Sequence, residues 1–321
     1  MKYKNRVLIT WIVLIILLWT AGCRNNSKEG VLADVDGHLI MEEDFNEEFE
    51  IKRKIYMSQY GEDFLKQELE EGLTIEEFLR EELLFEIIHE NIIKRELDKL
   101  NMDINEEDVD EYIKDNYINR LGGEENYNDY LVSLGVSHGD FKKIVARELM
   151  YERHSQYFFE QIDLSEEELK DYYGKNKDAF IRVRASHILV KTEEEGNEIL
   201  KRLKEGEDFA SLAATMSIDS QSAIKGGDLG YFTKGSMAEE YREIEETAFS
   251  LKEGQVSNLI KTDFGYHIVL VEDRVESFED LKEEVERALK NKKYNEELNK
   301  LMEKANVKVY MDLYRDTSNL Q

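Results

Sequence analysis

Apolar residues recur along this chain at two different periods, and the change of period divides it. Val31-Leu32-Ala33-Asp34-Val35 reads as a strand, and Asp36-Gly37 as a tight turn into His38-Leu39-Ile40. From Met41 to about Asn176 the spacing is helical. Thr74 with Glu77 forms a capping box that opens a long helix through Leu100. Within it Phe78, Leu79, Leu83, Leu84, Ile87, Ile88, Ile92 and Leu97 recur mostly three and four apart, which makes one wide apolar face. Asn105 caps the next helix, Gly122-Gly123 breaks it, and Asp140 to Gln161 forms another. Ser165 with Glu168 starts a short helix that ends near Asn176.

The pattern then changes. Val183 to Val190 is strand-like and apolar on both faces toward its end, as in a central strand. Thr192 with Glu195 caps a helix through Glu205, and a second helix spans Glu207 to Met216. A loop over 217–222 and the turn-rich run from Gly226 to Phe232 precede a helix from about Met237 to Ser250. Strands follow from Val256 and from Tyr266 to Val271. A last helix is predicted from about Ser277 to Ala305, closed by Val307-Lys308-Val309-Tyr310, which alternates like a short strand. A lone strand near each end needs a partner, so Val307–Tyr310 is expected to pair near Val31–Val35. The two ends then build one helical body with the middle segment inserted, which is tolerated where domain termini lie close together.

The first residues change the picture of where this body works. Lys2, Lys4 and Arg6 precede a largely apolar run from Val7 to Trp19 and then Thr20-Ala21-Gly22-Cys23. This is the layout of a secretory signal. At 1.5 Å per residue the run covers only about 20 Å of a hydrocarbon core about 30 Å thick, which fits an uncleaved signal anchor less well. Small residues directly before Cys23 resemble a bacterial lipobox, with Thr20 in place of the more usual Leu. The resemblance implies acylation of Cys23 and removal of what precedes it. Cys23 is the single cysteine, so the fold is expected to be held by cores alone. Residues 24–30 form a polar leash, and residues 313–321 a polar tail.

Charge separates the segments again. The formal net charge is −28, of which residues 24–181 carry −23 and residues 182–275 carry −6. So acidic a surface argues against nucleic acid and anionic lipid as partners. The chain contains no proline. A protein sparing itself slow X–Pro steps in folding is one reading of this, and a composition rich in Lys, Asn, Ile and Glu is the simpler one.

The segments ASHILV, SID, GGDLGYF, GSM, AFSL and FGYHIV occur in that order between Arg182 and Arg274. Together they resemble the parvulin family of peptidyl-prolyl cis/trans isomerases. That likeness implies an α+β fold in which a small antiparallel or mixed sheet, surrounded by helices, forms residues 181–275. It implies that His187, Asp219 and His267 are the catalytic positions. It further implies that Leu229, Phe232, Met237 and Phe249 line an apolar pocket for proline. The stretch from Met237 to Phe249 is about three residues longer than the common spacing. Counting from Met237 the remaining pocket residue is Tyr241, the preferred reading, and counting back from Phe249 it is Ile244. The histidines either act on the substrate or hold the shape of the site. No further Cys or His lies nearby to complete a ligand set, so neither metal nor other cofactor is expected. His38, His89, His138 and His154 carry no motif and are expected at surface or boundary positions.

The whole layout resembles the extracytoplasmic lipoprotein foldases of the PrsA type. The resemblance implies a chaperone body from residues 31–180 and 276–312 and an isomerase insert, lipid-anchored at the outer face of the cell membrane. Its partners would be unfolded or partly folded exported proteins containing X–Pro bonds. A non-catalytic holdase with a vestigial insert is the alternative, and a homodimer is left open.

Overall fold

The computed structural model describes residues 29–70 and 72–311. The signal segment with Cys23, most of the leash and the tail lie outside the described residues. Strand β1 (Val31–Val35) turns into β2 (His38–Met41) through Asp36 and Gly37, both at positive φ (54° and 91°). Glycine meets that requirement without strain, and the Gly37 amide donates to Asp34 Oδ1 at 2.7 Å. Helix α1 (Glu42–Tyr60) leads to a small hairpin, β3 (Glu68–Glu70) and β4 (Leu73–Thr74). This hairpin interrupts the continuous helical reading. Leu65 and Leu73 are buried beside it, so the segment is anchored by two side chains rather than by a helical face.

Helix α2 (Ile75–Leu100) begins at the Thr74–Glu77 capping box. Its buried residues are the predicted face, with Glu81 and Ile93 added and Phe78 only partly covered. Helix α3 (Glu106–Ile113) is capped by Asn105 and runs through a wider π-turn, Lys114–Ile118, into α4 (Asn119–Leu121). Helices α5 (Glu124–Leu134) and α6 (His138–Gln161) follow. The α6 helix starts two residues before the predicted Asp140, because Ser137 and Asp140 form a further capping box.

Then come α7 (Glu166–Lys175), α8 (Lys177–Phe180), β5 (Arg182–Val190), α9 (Glu193–Lys204), α10 (Phe209–Met216) and α11 (Ser220–Ala223). They are followed by β6 (Asp228–Thr233), α12 (Arg242–Ser250), β7 (Ile260–Thr262) and β8 (Gly265–Val275). Helix α13 (Phe278–Lys304) and β9 (Val307–Val309) close the described chain. The predicted helix from Met237 begins only at Arg242, after a 3-10 turn at Glu239–Tyr241. The cause is Glu245, whose carboxylate accepts the Gly235 and Met237 amides and holds that stretch out of helical geometry.

The described chain forms two compact units, residues 29–162 with 293–311, and residues 163–292. In the first, β1 lies between β2 and β9, and Ala33, Asp34 and Val35 pair antiparallel with Val309, Lys308 and Val307. The two ends of the described chain therefore meet in one sheet. Phe45, Phe49, Leu83, Leu84 and Ile88 fill the core beside it, together with Met302 from α13. A second core gathers Ile51, Val109, Ile113, Tyr127, Leu131, Phe141 and Val145.

The second unit carries a four-stranded antiparallel sheet in the order β6-β5-β8-β7. It extends beyond residues 181–275 on both sides. Leu169, Tyr173 and Phe180 pack with Leu281, Val285 and Leu289 of α13, and Arg182 Nη1 binds both carboxylate oxygens of Glu284 at 2.8 and 2.7 Å. No described helix is long and apolar enough to cross a membrane.

Candidate active site

Strand β5 is central in its sheet, and His187 sits in its middle, opposite Val269 of β8. His267 lies two residues from Val269 on β8 and pairs with Leu189. Side chains two apart on a strand share a face, so the register brings both imidazoles to one side. They are buried, at 4% and 0% exposure, with ring centres 5.5 Å apart and Nδ1 atoms 3.4 Å apart. The backbone makes this possible at Gly227, whose carbonyl accepts the His187 amide at 2.9 Å. A Cβ on Gly227 would stand 2.4 Å from the His187 carbonyl oxygen, and its φ is +91°. Only glycine fits there.

Asp219 reaches the pair from the start of α11. Its Oδ2 lies 2.7 Å from His187 Nε2 and receives the Ser222 hydroxyl at 2.5 Å, while Ser222 Oγ is itself 3.0 Å from Nε2. On the other side, Thr262 Oγ1 lies 2.8 Å from His267 Nε2 and accepts the Phe264 amide at 3.2 Å. Burial opposes ionisation of Asp219, but hydrogen bonds from Ser222 and His187 outweigh it and hold the carboxyl below its ordinary range. Burial first, then the neighbouring His187, pushes the His267 pKa down to about 4. His267 is therefore neutral near pH 7.

Ionised Asp219 only accepts, so its 2.7 Å contact puts a proton on His187 Nε2. Neutral His267 turns one ring nitrogen toward His187 and the other toward the Thr262 hydroxyl, a group that can donate or accept. The result is a continuous series of hydrogen-bonded groups from the Phe264 amide to the Asp219 carboxylate. Such a series fixes tautomers and polarises the groups along it. Nothing in the sequence marks Ser222 or Thr262, because hydroxyl residues are common and their spacing carries no signature.

The apolar positions divide. Phe232, Met237 and Phe249 come together with Ile244, and the Phe232 and Phe249 rings meet edge to face at 5.9 Å. Leu229 stands half-buried on β6, outside that cluster. Ile244 is 1% exposed within it, whereas Tyr241 is 37% exposed and stacks on Phe264. Glu245, also missed, is a buried carboxylate that accepts from Gly235 N at 2.8 Å and Met237 N at 3.0 Å. It fixes the backbone that presents Met237.

Among the other histidines, His154 is buried rather than peripheral, because its Nδ1 pairs with Tyr294 OH at 2.9 Å. No group of three or more His, Cys, Asp or Glu side chains among the described residues is placed to hold a metal ion.

The chain is similar to known proteins over most of its length. Residues 171–275 match the PPIC-type PPIase domain, and residues 1–155 match the SurA-like N-terminal domain. The foldase protein PrsA of Caldanaerobacter subterraneus subsp. tengcongensis is 31% identical over 300 residues, covering 92% of this chain and 91% of its own length. The foldase protein PrsA of Halalkalibacterium halodurans is 31% identical over 329 residues, covering 99% of this chain and 88% of that protein. Among solved structures, the peptidylprolyl isomerase PrsA of Bacillus anthracis is 27% identical, covering 69% of this chain and 96% of that one, with a TM-score of 0.35. With relatives aligned over nearly their whole length and a PPIase domain carrying the linked histidines, this chain belongs to the PrsA family of parvulin-type foldases.

Proposed function

We propose that this protein catalyses cis/trans isomerisation of X–Pro bonds in unfolded or partly folded exported proteins and also shields them from aggregation. We place it at the outer face of the cell membrane, tethered through an acylated Cys23. In this reading residues 181–275 are the catalytic insert, and residues 31–180 with 276–312 are the chaperone body. The observation that carries the proposal is the series from Thr262 through His267 and His187 to Asp219, built on the same sheet that bears the Phe232–Met237–Phe249 cluster.

An X–Pro amide resists rotation by roughly 18–20 kcal/mol because of C–N resonance. No bond forms or breaks, so neither nucleophile nor cofactor is required. What is required is to bind the twisted amide better than either planar form. An apolar pocket that grips the proline ring fixes one side of the bond. A preorganised polar series beside it meets the carbonyl as it swings, at no reorganisation cost during the reaction.

The test is an isomerase assay on the full chain with a proline peptide. We expect the His187→Ala/His267→Ala variant to lose at least tenfold in kcat/KM while still suppressing aggregation of an unfolded client. Wild-type activity no higher than that of the double variant would sink the enzyme reading and leave a holdase.

A further inference from the structure

The 3-10 turn Glu239–Tyr241 after Met237 is held in place twice. The Tyr241 amide donates to Ala238 O at 2.9 Å, and Arg242 pairs with Glu239 across the same turn. Tyr241 lies face to face with Phe264, with centres 5.4 Å apart and planes 16° from parallel. Phe264 sits in the β7–β8 turn. Its amide is the first donor of the series that reaches His267 through Thr262. Two aromatic rings, one from each of these turns, are thus stacked, and the backbone of the second donates into the contacts that reach His267.

They are joined yet uncovered. Tyr241 is 37% exposed and Phe264 47% exposed. Stacked aromatics that served only to close a core would be buried, as Phe232 is at 8%. Each ring is also preceded in sequence by an exposed carboxylate residue, Glu240 before Tyr241 and Asp263 before Phe264. Aromatic faces attract cations, most of all the flat guanidinium of arginine, and nearby carboxylates add to that attraction. An acidic side chain meets like charge in the same place. The surrounding segment 182–275 is itself net acidic, at −6.

We propose that Tyr241 and Phe264 form a two-ring platform that binds a basic side chain next to the proline, so that the isomerase favours clients with Arg or Lys beside their X–Pro bonds. The inference rests on the isomerase reading and adds to it a selectivity set by the turn after Met237. The platform is separate from the Phe232–Met237–Phe249 cluster that would hold the proline ring.

The test uses the full chain and peptides that place Arg, Lys, Leu, Ala or Glu on either side of one proline. We expect wild type to turn over the better Arg peptide about fivefold faster in kcat/KM than its Ala counterpart, with the Glu peptide slowest. That ratio should shrink in 0.5 M salt, where exposed charges are screened. The Tyr241→Ser/Phe264→Ser variant should bring the Arg-to-Ala ratio within twofold, whereas Tyr241→Phe should keep it. A wild-type ratio within twofold, a preference for Leu over Arg, or a ratio that survives in the double serine variant overturns the proposal. If wild type turns over none of the peptides, the isomerase reading fails. The same Arg-to-Ala comparison, read as affinity by calorimetry, then decides the platform by itself.

Discussion

The two compact units spend their buried polar groups differently. Of the buried polar or charged residues among those described, Ser186, His187, Ser222, Glu245, Ser257 and His267 belong to the unit of residues 163–292. Only Glu81 and His154 belong to the unit built from both ends of the chain. The terminal unit keeps most of its charge at or near the surface, in pairs such as Lys66 with Asp63 and Lys143 with Glu47. Exposed pairs of this kind add little stability and tolerate exchange. Buried polar groups demand their partners. One unit is therefore specified by which positions are apolar, the other by particular atoms.

The largest expected effect strikes the terminal unit. Phe45 is fully buried, packed with Phe49 and capped by the Arg80 guanidinium 4.9 Å from its ring centre. Phe45→Ala should cost about 3–5 kcal/mol in denaturant unfolding. Isomerase turnover per folded molecule should be unchanged, and a matching fall in turnover would break the distinction between the units.

Next comes pH. His267 has a folded pKa of about 4 against roughly 6.5 in an unfolded chain. Between those values the unfolded state binds more protons, so stability is complete above pH 6.5 and is lost as pH falls toward 4. The loss should reach about 3 kcal/mol. An NMR titration should find the His267 ring neutral down to about pH 4, and a midpoint near 6.5 would contradict the burial argument. His154 in the other unit, also lowered by burial, shifts stability in the same direction.

A smaller effect sharpens the point about particular atoms. Glu245→Gln preserves shape but replaces one acceptor oxygen by a donor facing a part-buried backbone amide. We expect a loss of about 1–3 kcal/mol. Because Met237 is then released, KM for proline peptides should rise severalfold with little change in kcat. An unchanged KM would show that Glu245 does not position the pocket.

The smallest change tests a feature read directly from sequence. Thr74→Ala removes the N-cap of α2 and should cost about 1 kcal/mol, measured by thermal or urea unfolding, with no effect on peptide turnover. A loss near zero would mean that packing of the apolar face alone holds that helix end.

How far each unit could be read follows from the same physics. Capping boxes and apolar spacing are local, so the boxes at Thr74, Ser165 and Thr192 and the face of α2 were legible residue by residue. The pairing of β1 with β9 was legible from need, since a lone strand must find a partner. The hairpin at Leu73 was not, because three- and two-residue strands carry too few positions to show a period. Motif order singled out His187, Asp219 and His267. Ser222, Thr262 and Glu245 escaped it, since their roles depend on contacts that the chain closes only after folding.

The sequence by itself determined the family, the longer helices, the pairing of β1 with β9 and the pair of histidines. These follow from motif order, spacing and residue type, which survive in one dimension. Only the tertiary structure decided that Thr262, His267, His187 and Asp219 meet in one series, why the helix after Met237 starts late, and that Ile244 is buried while Tyr241 lies open against Phe264. Those outcomes turn on distances of a few ångströms between residues far apart in the chain, and on burial, which sets both the cost of a charge and the worth of a hydrogen bond.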